Sequence, residues 1–172
     1  MNLEMLKKYV HSTWEEMSHC GDDKYYFVRN DVVNIENVFS EVKYQLSIDI
    51  PKDLKIFYEE IGFGFLWFNL KQKKGLYRVL SPEELLDLYF EPDDDETLDD
   101  FVTYRERAWD NLEENSLLAF CLFDEEESLL YINVSDMSIY YLSPKRKIAN
   151  SLDEFLQRLD CEVDYFLRDN TK

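Results

Sequence analysis

Glycine and proline are scarce, four of each in 172 residues. That leaves no Pro/Gly/Ser-rich linker to divide the chain, and no glycine-rich phosphate loop precedes a Lys-Ser/Thr pair. The three cysteines, Cys20, Cys121 and Cys161, are odd in number and far apart. They do not make a disulfide framework or a tight metal-ligand spacing, and they suit reduced thiols. The two histidines, His11 and His19, stand eight apart and form no His-Glu-x-x-His pattern. His11 is expected on a helix surface and His19 at a helix end. Basic residues number 19 against 37 acidic ones. Nucleic acid and anionic membranes are therefore disfavoured as direct partners, because both demand clustered Lys and Arg. The two basic runs, Lys71–Lys74 and Lys145–Lys147, read as solvated turns. No stretch approaches the roughly 18 uncharged apolar residues that span a bilayer. The opening residues Met1–Lys8 lack a basic region followed by an apolar run, which predicts a cytoplasmic protein.

Acid and aromatics are what the chain has in quantity. The formal charge is -18, yet hydrophobic residues make up 45% and aromatics 16%, enough for a packed core. This is not the composition of a disordered acidic chain. Carboxylates crowd in Glu91–Asp100, where mutual repulsion predicts a loop, and again in Asp124–Glu127. A surface so charged either keeps the protein in solution or steers a basic partner toward it.

Helical periodicity predicts a first helix over Leu3–Met17, with Leu3, Leu6, Val10, Trp14 and Met17 on one face. Lys24–Val28 reads as a short extended piece. A second helix is predicted over Asn34–Leu46. A third begins at Pro51, where the missing amide proton costs nothing, and Gly62 ends it. Strands are predicted at Phe65–Leu70 and Leu76–Leu80, around a Lys-rich turn ending at Gly75. Ser81-Pro82-Glu83-Glu84 is a capping-box helix start, and Asp100–Asn111 a further helix. Leu117–Phe123, Leu129–Val134 and Ser138–Leu142 form a three-stranded meander. Ser151–Glu154 opens the last helix with a second capping box, and Leu152, Phe155, Leu156, Leu159, Val163 and Phe166 form its buried stripe. The order predicts one α+β domain over residues 1–172, with helices packed on an antiparallel or mixed sheet and the acidic loop 91–100 inside it.

Ile50–Tyr58, Tyr77–Leu85, Leu118–Phe120, Tyr131–Val134 and Ile148–Leu156, in that order and spacing, resemble the SMI1/KNR4-like proteins of the SUKH superfamily, most strongly over 34–159. Ile61-Gly62-Phe63-Gly64 stands where that family commonly has an Asn-Gly-Gly-like turn. The resemblance implies an α+β protein-binding module without a shared catalytic constellation. Many bacterial relatives are immunity proteins that neutralise toxins, often nucleases; others are scaffolds or regulators.

An acidic inhibitor complements a basic nuclease surface, speeding encounter and excluding substrate. Asp93, Asp94, Asp95, Glu96, Asp99 and Asp100 are the first steering candidates, and Asp124, Glu125, Glu126 and Glu127 the second. Charge alone does not bind tightly, so aromatic anchors are needed. Trp67 or Phe68 and Tyr140 or Tyr141 are candidates. One member of each adjacent strand pair faces the core, and Trp67 and Tyr140 are taken as the outward ones. No cofactor or metal ligand is predicted. An intracellular scaffold or regulator is the alternative. A divalent-metal-dependent enzyme is the third reading, since hard cations prefer carboxylate oxygens. The acidic run, however, lacks the Asp/Asn and Gly order of an EF-hand.

Overall fold

The computed structural model describes residues 3–12, 25–29, 35–69, 74–90, 101–123, 127–142, 145–162 and 164–167. Its frame is an eight-stranded mixed sheet in the order β1-β2-β3-β6-β7-β8-β9-β10. The strands are β1 (Val10–His11), β2 (Tyr26–Val28), β3 (Phe63–Phe65), β6 (Tyr77–Val79), β7 (Leu117–Phe123), β8 (Ser128–Asn133), β9 (Ile139–Leu142) and β10 (Lys145–Ala149). β1 runs parallel to β2, and every other pair in this sheet is antiparallel. A small separate hairpin joins β4 (Phe68–Asn69) to β5 (Lys74–Gly75).

Helices cover both faces. They are α1 (Glu4–Lys7), α2 (Ile35–Leu46), α3 (Lys52–Glu60), α4 (Pro82–Tyr89), α5 (Val102–Asn115) and α6 (Leu152–Cys161). Alternation along the strands decides which residue meets which helix. Tyr131 of β8 points at Arg107 and Asn111 of α5. Tyr141 of β9, across from Leu130 on the opposite face, packs on Phe166 just beyond α6. Phe120 and Phe123 of β7 meet Phe155 and Phe166 on that second face. Phe27 of β2 meets Phe57 of α3 edge-on, their centroids 5.5 Å apart.

The two helix starts that the sequence marks differ in detail. At α4 the capping box is complete: Glu84 N–H donates to Ser81 Oγ (3.0 Å) and Ser81 N–H to Glu84 Oε2 (2.8 Å). At α6, Glu154 N–H donates to Ser151 Oγ (3.1 Å). The return bonds, however, come from the backbone and side-chain amides of Asn150, both 2.8 Å from Glu154 Oε2. Those bonds hold the Glu154 carboxyl below its usual range. The expected second capping box is thus one residue out of register, because an asparagine preceding the cap offers two donors to one carboxylate.

Four expected boundaries shift. The helix predicted over Leu3–Met17 is four residues long, and Val10–His11 joins the sheet instead. There Phe27 N–H donates to Tyr9 O (3.1 Å) and Arg29 N–H to His11 O (3.0 Å). Pairing with β2 overrides the helical spacing, while Trp14 and Met17 lie outside the described residues. The strand expected at Phe65–Leu70 divides between the main sheet and the hairpin. α5 runs on to Asn115 and stops at Ser116, which takes a left-handed conformation with φ 56°. The Lys145–Lys147 run is the start of β10, not a turn: Arg146 lies opposite Tyr141 and Lys147 opposite Tyr140.

β3 approaches β2 so closely that Gly62 (φ 98°) and Gly64 (φ 140°) admit no side chain. A Cβ on Gly64 would stand 2.4 Å from Tyr26 O, and one on Gly62 2.1 Å from Val28 O. Gly64→Ala should therefore destabilise the fold by about 2 kcal/mol or more, combining the strained conformation with a backbone clash. Urea unfolding measures it. In the β8–β9 turn, the buried Ser138 donates its hydroxyl and its N–H to Asp136 Oδ1, holding that carboxyl below its usual range. The fold thus favours the ionised form. Its stabilisation is complete above the ordinary carboxylate pKa and is lost as pH falls through the lowered folded value. Ser138→Ala should move the Asp136 midpoint up toward the ordinary range in a carboxyl NMR titration.

Candidate functional site

On the α4 side of the sheet, Val28 lies opposite Phe63, Tyr26 opposite Phe65, and Phe65 opposite Arg78. Phe63, Phe65 and Arg78 remain half-exposed there. With Gly64, Val79 and Glu84 they line a recess of about 350 Å³. A smaller cavity of about 70 Å³ shares Phe63 and lies where α2, α3 and α4 meet, walled by Ile35, Val38, Tyr58 and Pro82 with Arg29 and Glu83. Burial pushes the Tyr58 hydroxyl well above its ordinary pKa, so it stays neutral.

The recess exists because of local sequence. Gly62 and Gly64 let β3 lie close against β2, and Ser81-Pro82 starts α4 immediately beside it. Glu84 does double duty. Its Oε2 caps α4 while its Oε1 pairs with the Arg78 guanidinium, both side chains about one-quarter exposed. Arg78 also lies over the Phe101 ring, 6.0 Å from its centroid. The result is an aromatic floor beside a fixed ion pair, a form suited to an apolar or aromatic side chain of another protein. Among the described residues no serine, cysteine or histidine lines either cavity. Among the described residues no three His, Cys, Asp or Glu side chains gather to hold a metal ion.

The sequence-predicted contact residues are dispersed. Trp67 is half-buried just after β3 and packs against the core; its backbone oxygen accepts from Leu76 N–H at 2.8 Å. Tyr140 is half-buried in β9. Four strand steps separate β3 from β9, on the order of 19 Å at normal strand spacing, so one small anchor site does not contain both. Glu127 is exposed in the turn before β8, with φ 45°. Asp93, Asp94, Asp95, Glu96, Asp99 and Asp100 lie outside the described residues, as do Asp124, Glu125 and Glu126. Sequence reasoning missed Phe63, Phe65 and the Arg78–Glu84 pair. The available signal was the glycine-phenylalanine alternation, together with the arginine three residues before the Ser81 cap.

Glu84→Gln removes the charge from both the cap and the pair, whereas Ser81→Ala removes only one cap bond. Ser81→Ala should cost about 1 kcal/mol, with Glu84→Gln costing more, in paired chemical-denaturation curves.

Among the described residues no helix is long and apolar enough to cross a membrane. No solved structure gives a significant match to the chain. The chain is 30% identical over 138 residues to "Immunity protein YxxD" of Bacillus subtilis (strain 168), an alignment covering 77% of this chain and 84% of that protein. The sequence profile of the SMI1 / KNR4 family (SUKH-1) matches residues 36–158, from the start of α2 to the last turn but one of α6. That span carries the Gly62–Gly64 strand, the Ser81 cap and the whole β7–β10 meander, and it places this chain in the SMI1 / KNR4 family (SUKH-1).

Proposed function

We propose that this protein is an immunity protein that binds a toxin inside the cell producing both and blocks it by covering its active site. The observation that carries the reading is the likeness to the Bacillus immunity protein over 84% of that protein's length. The chemistry fits a basic partner, with a nuclease as the leading class. A nuclease holds a polyanion near its catalytic groups, and a chain of charge -18 opposes that surface in sign. The role needs no catalysis from this chain.

Two kinds of contact divide the work in this reading. Asp93, Asp94, Asp95, Glu96, Asp99 and Asp100, with Asp124, Glu125, Glu126 and Glu127, steer the encounter. Packed aromatics hold the complex once formed. The Phe63–Phe65 recess takes an anchor side chain from the toxin, and Trp67 and Tyr140 supply amphipathic contacts farther along the sheet.

The direct test is to capture the toxin with tagged protein from its native cells, then titrate the purified toxin's activity. Stoichiometric, saturable inhibition is expected. A folded toxin that is bound but stays fully active, or no toxin bound at all, would defeat the reading. Replacing Asp93, Asp94 and Asp95 together by Asn should slow association about tenfold at low salt and leave dissociation within about twofold. Stopped-flow and surface-binding kinetics separate the two.

A further inference from the structure

β10 closes one end of the eight-stranded sheet, and among the described residues no strand neighbours its outer edge. That edge begins with three consecutive cations, Lys145, Arg146 and Lys147, in a chain with 37 acidic residues. Among the described residues none of the three makes a salt bridge, and only Lys147 feels a carboxylate, that of Asp136 in the β8–β9 turn. Lys145 Nζ donates to Asn115 Oδ1, and Lys147 Nζ to Asn150 Oδ1 at 3.5 Å, both neutral amides. The Arg146 guanidinium lies over the Tyr141 ring, 5.6 Å from its centroid, with Nε and Nη2 shut off from solvent and unbonded. Several bases elsewhere find acids, whereas Arg105 donates to the backbone oxygens of Asp87 and Phe90. Lys43 meets Asp49, Lys55 meets Glu36 and Glu59, Arg78 meets Glu84, and Arg158 meets Glu154.

Three cations in a row without a salt bridge, on a strand edge that no described strand covers, select what can add to it. Unpaired backbone N–H and C=O groups template an extended segment. Alternation puts Lys145 and Lys147 on one face, roughly 7 Å apart, which is the spacing of alternate side chains on an incoming strand. Opposite charges across such a pair stabilise it, and like charges oppose it. A second copy pairing edge to edge would set lysine against lysine. A nucleic acid would bring a long polyanion against the rest of an acidic surface. A short acidic strand escapes that penalty, because at physiological salt charges beyond about 8 Å are screened while the contacts with Lys145 and Lys147 are not.

We infer that the outer edge of β10 is a docking strand for an extended acidic segment of a protein partner, added antiparallel or parallel with alternate carboxylates on Lys145 and Lys147. This surface is separate from the acidic one assigned to the toxin, and its test does not require the toxin.

The test uses the full-length, isotopically labelled chain and a capped octapeptide alternating glutamate with threonine, at about 0.15 M ionic strength. Expected are saturable amide shifts at Lys145–Lys147 and slowed amide exchange on the outer edge. The Lys145→Gln/Lys147→Gln variant should bind about tenfold more weakly, as two lost cross-strand ion pairs imply. A peptide with the same glutamates but proline at the alternate positions keeps its charge and cannot pair; it should neither slow exchange nor bind comparably. Equal binding by the prolyl peptide would reduce the effect to diffuse electrostatics and overturn the inference. So would absence of saturable shifts, or undiminished binding by the variant. If the variant self-associates on a sizing column while its peptide affinity is unchanged, the cations merely guard the edge, and the inference fails.

Discussion

Burial of both faces of β7 is the constraint on which the rest of the structure depends. All seven residues from Leu117 to Phe123 are buried, and the strand is hydrogen-bonded on both sides, to β6 and to β8. A strand with no solvent face needs helices above and below it. α6 and its extension bring Phe155 and Phe166 to one side. α4 and α5 come to the other, and they reach into the ladder itself. A bulge between Ala119 and Cys121 interrupts the pairing, and Ala119 N–H donates instead to the Tyr89 hydroxyl of α4 at 3.1 Å. Trp109 of α5 donates its indole N–H to Tyr89 O at 2.7 Å, tying the two helices together.

From that centre the cover of the sheet thins unevenly on both sides, and β2, beyond β3, is again buried throughout. Next to β7 on one side, β6 and β3 are half-covered, and the aromatic recess opens there because Gly62 and Gly64 let β3 press against β2 without side chains between. On the other side β8 is nearly all buried, β9 alternates, and β10 begins with cations. The two surfaces singled out as contact sites are the places where the core's cover runs out. One is floored with aromatics and the other edged with charge, so they call for partners of different chemistry.

The strongest local signals read well because they are satisfied within a few residues. Ser81 and Glu84 bond each other across three positions, and Pro51 and the stripe of α6 need no distant partner to be recognised. The uniform apolar run of β7 likewise announces a buried strand. Signals that failed were those settled elsewhere in the chain. Val10 fits a helical stripe with Leu3 and Leu6, yet Phe27 supplies a strand partner. Lys145–Lys147 has no apolar pattern at all and becomes a strand because β9 lies alongside it. Phe63 and Phe65 carry no local mark of a contact site, since nothing near them in sequence says that their face of the sheet is left half-covered.

By itself the sequence determined a charge too negative for polyanions, an aromatic α+β core, the order of most helices and strands, and a family likeness. These follow from composition, period and short-range capping, all of which are local. The tertiary structure alone decided the parallel seating of β1, the aromatic recess beside the Arg78–Glu84 pair, the four-strand separation of Trp67 from Tyr140, and the seating of Lys145–Lys147 on the last strand. Each depends on which strands lie side by side. Strand adjacency is set by burying the whole of the sheet at once, so no window of the sequence contains it.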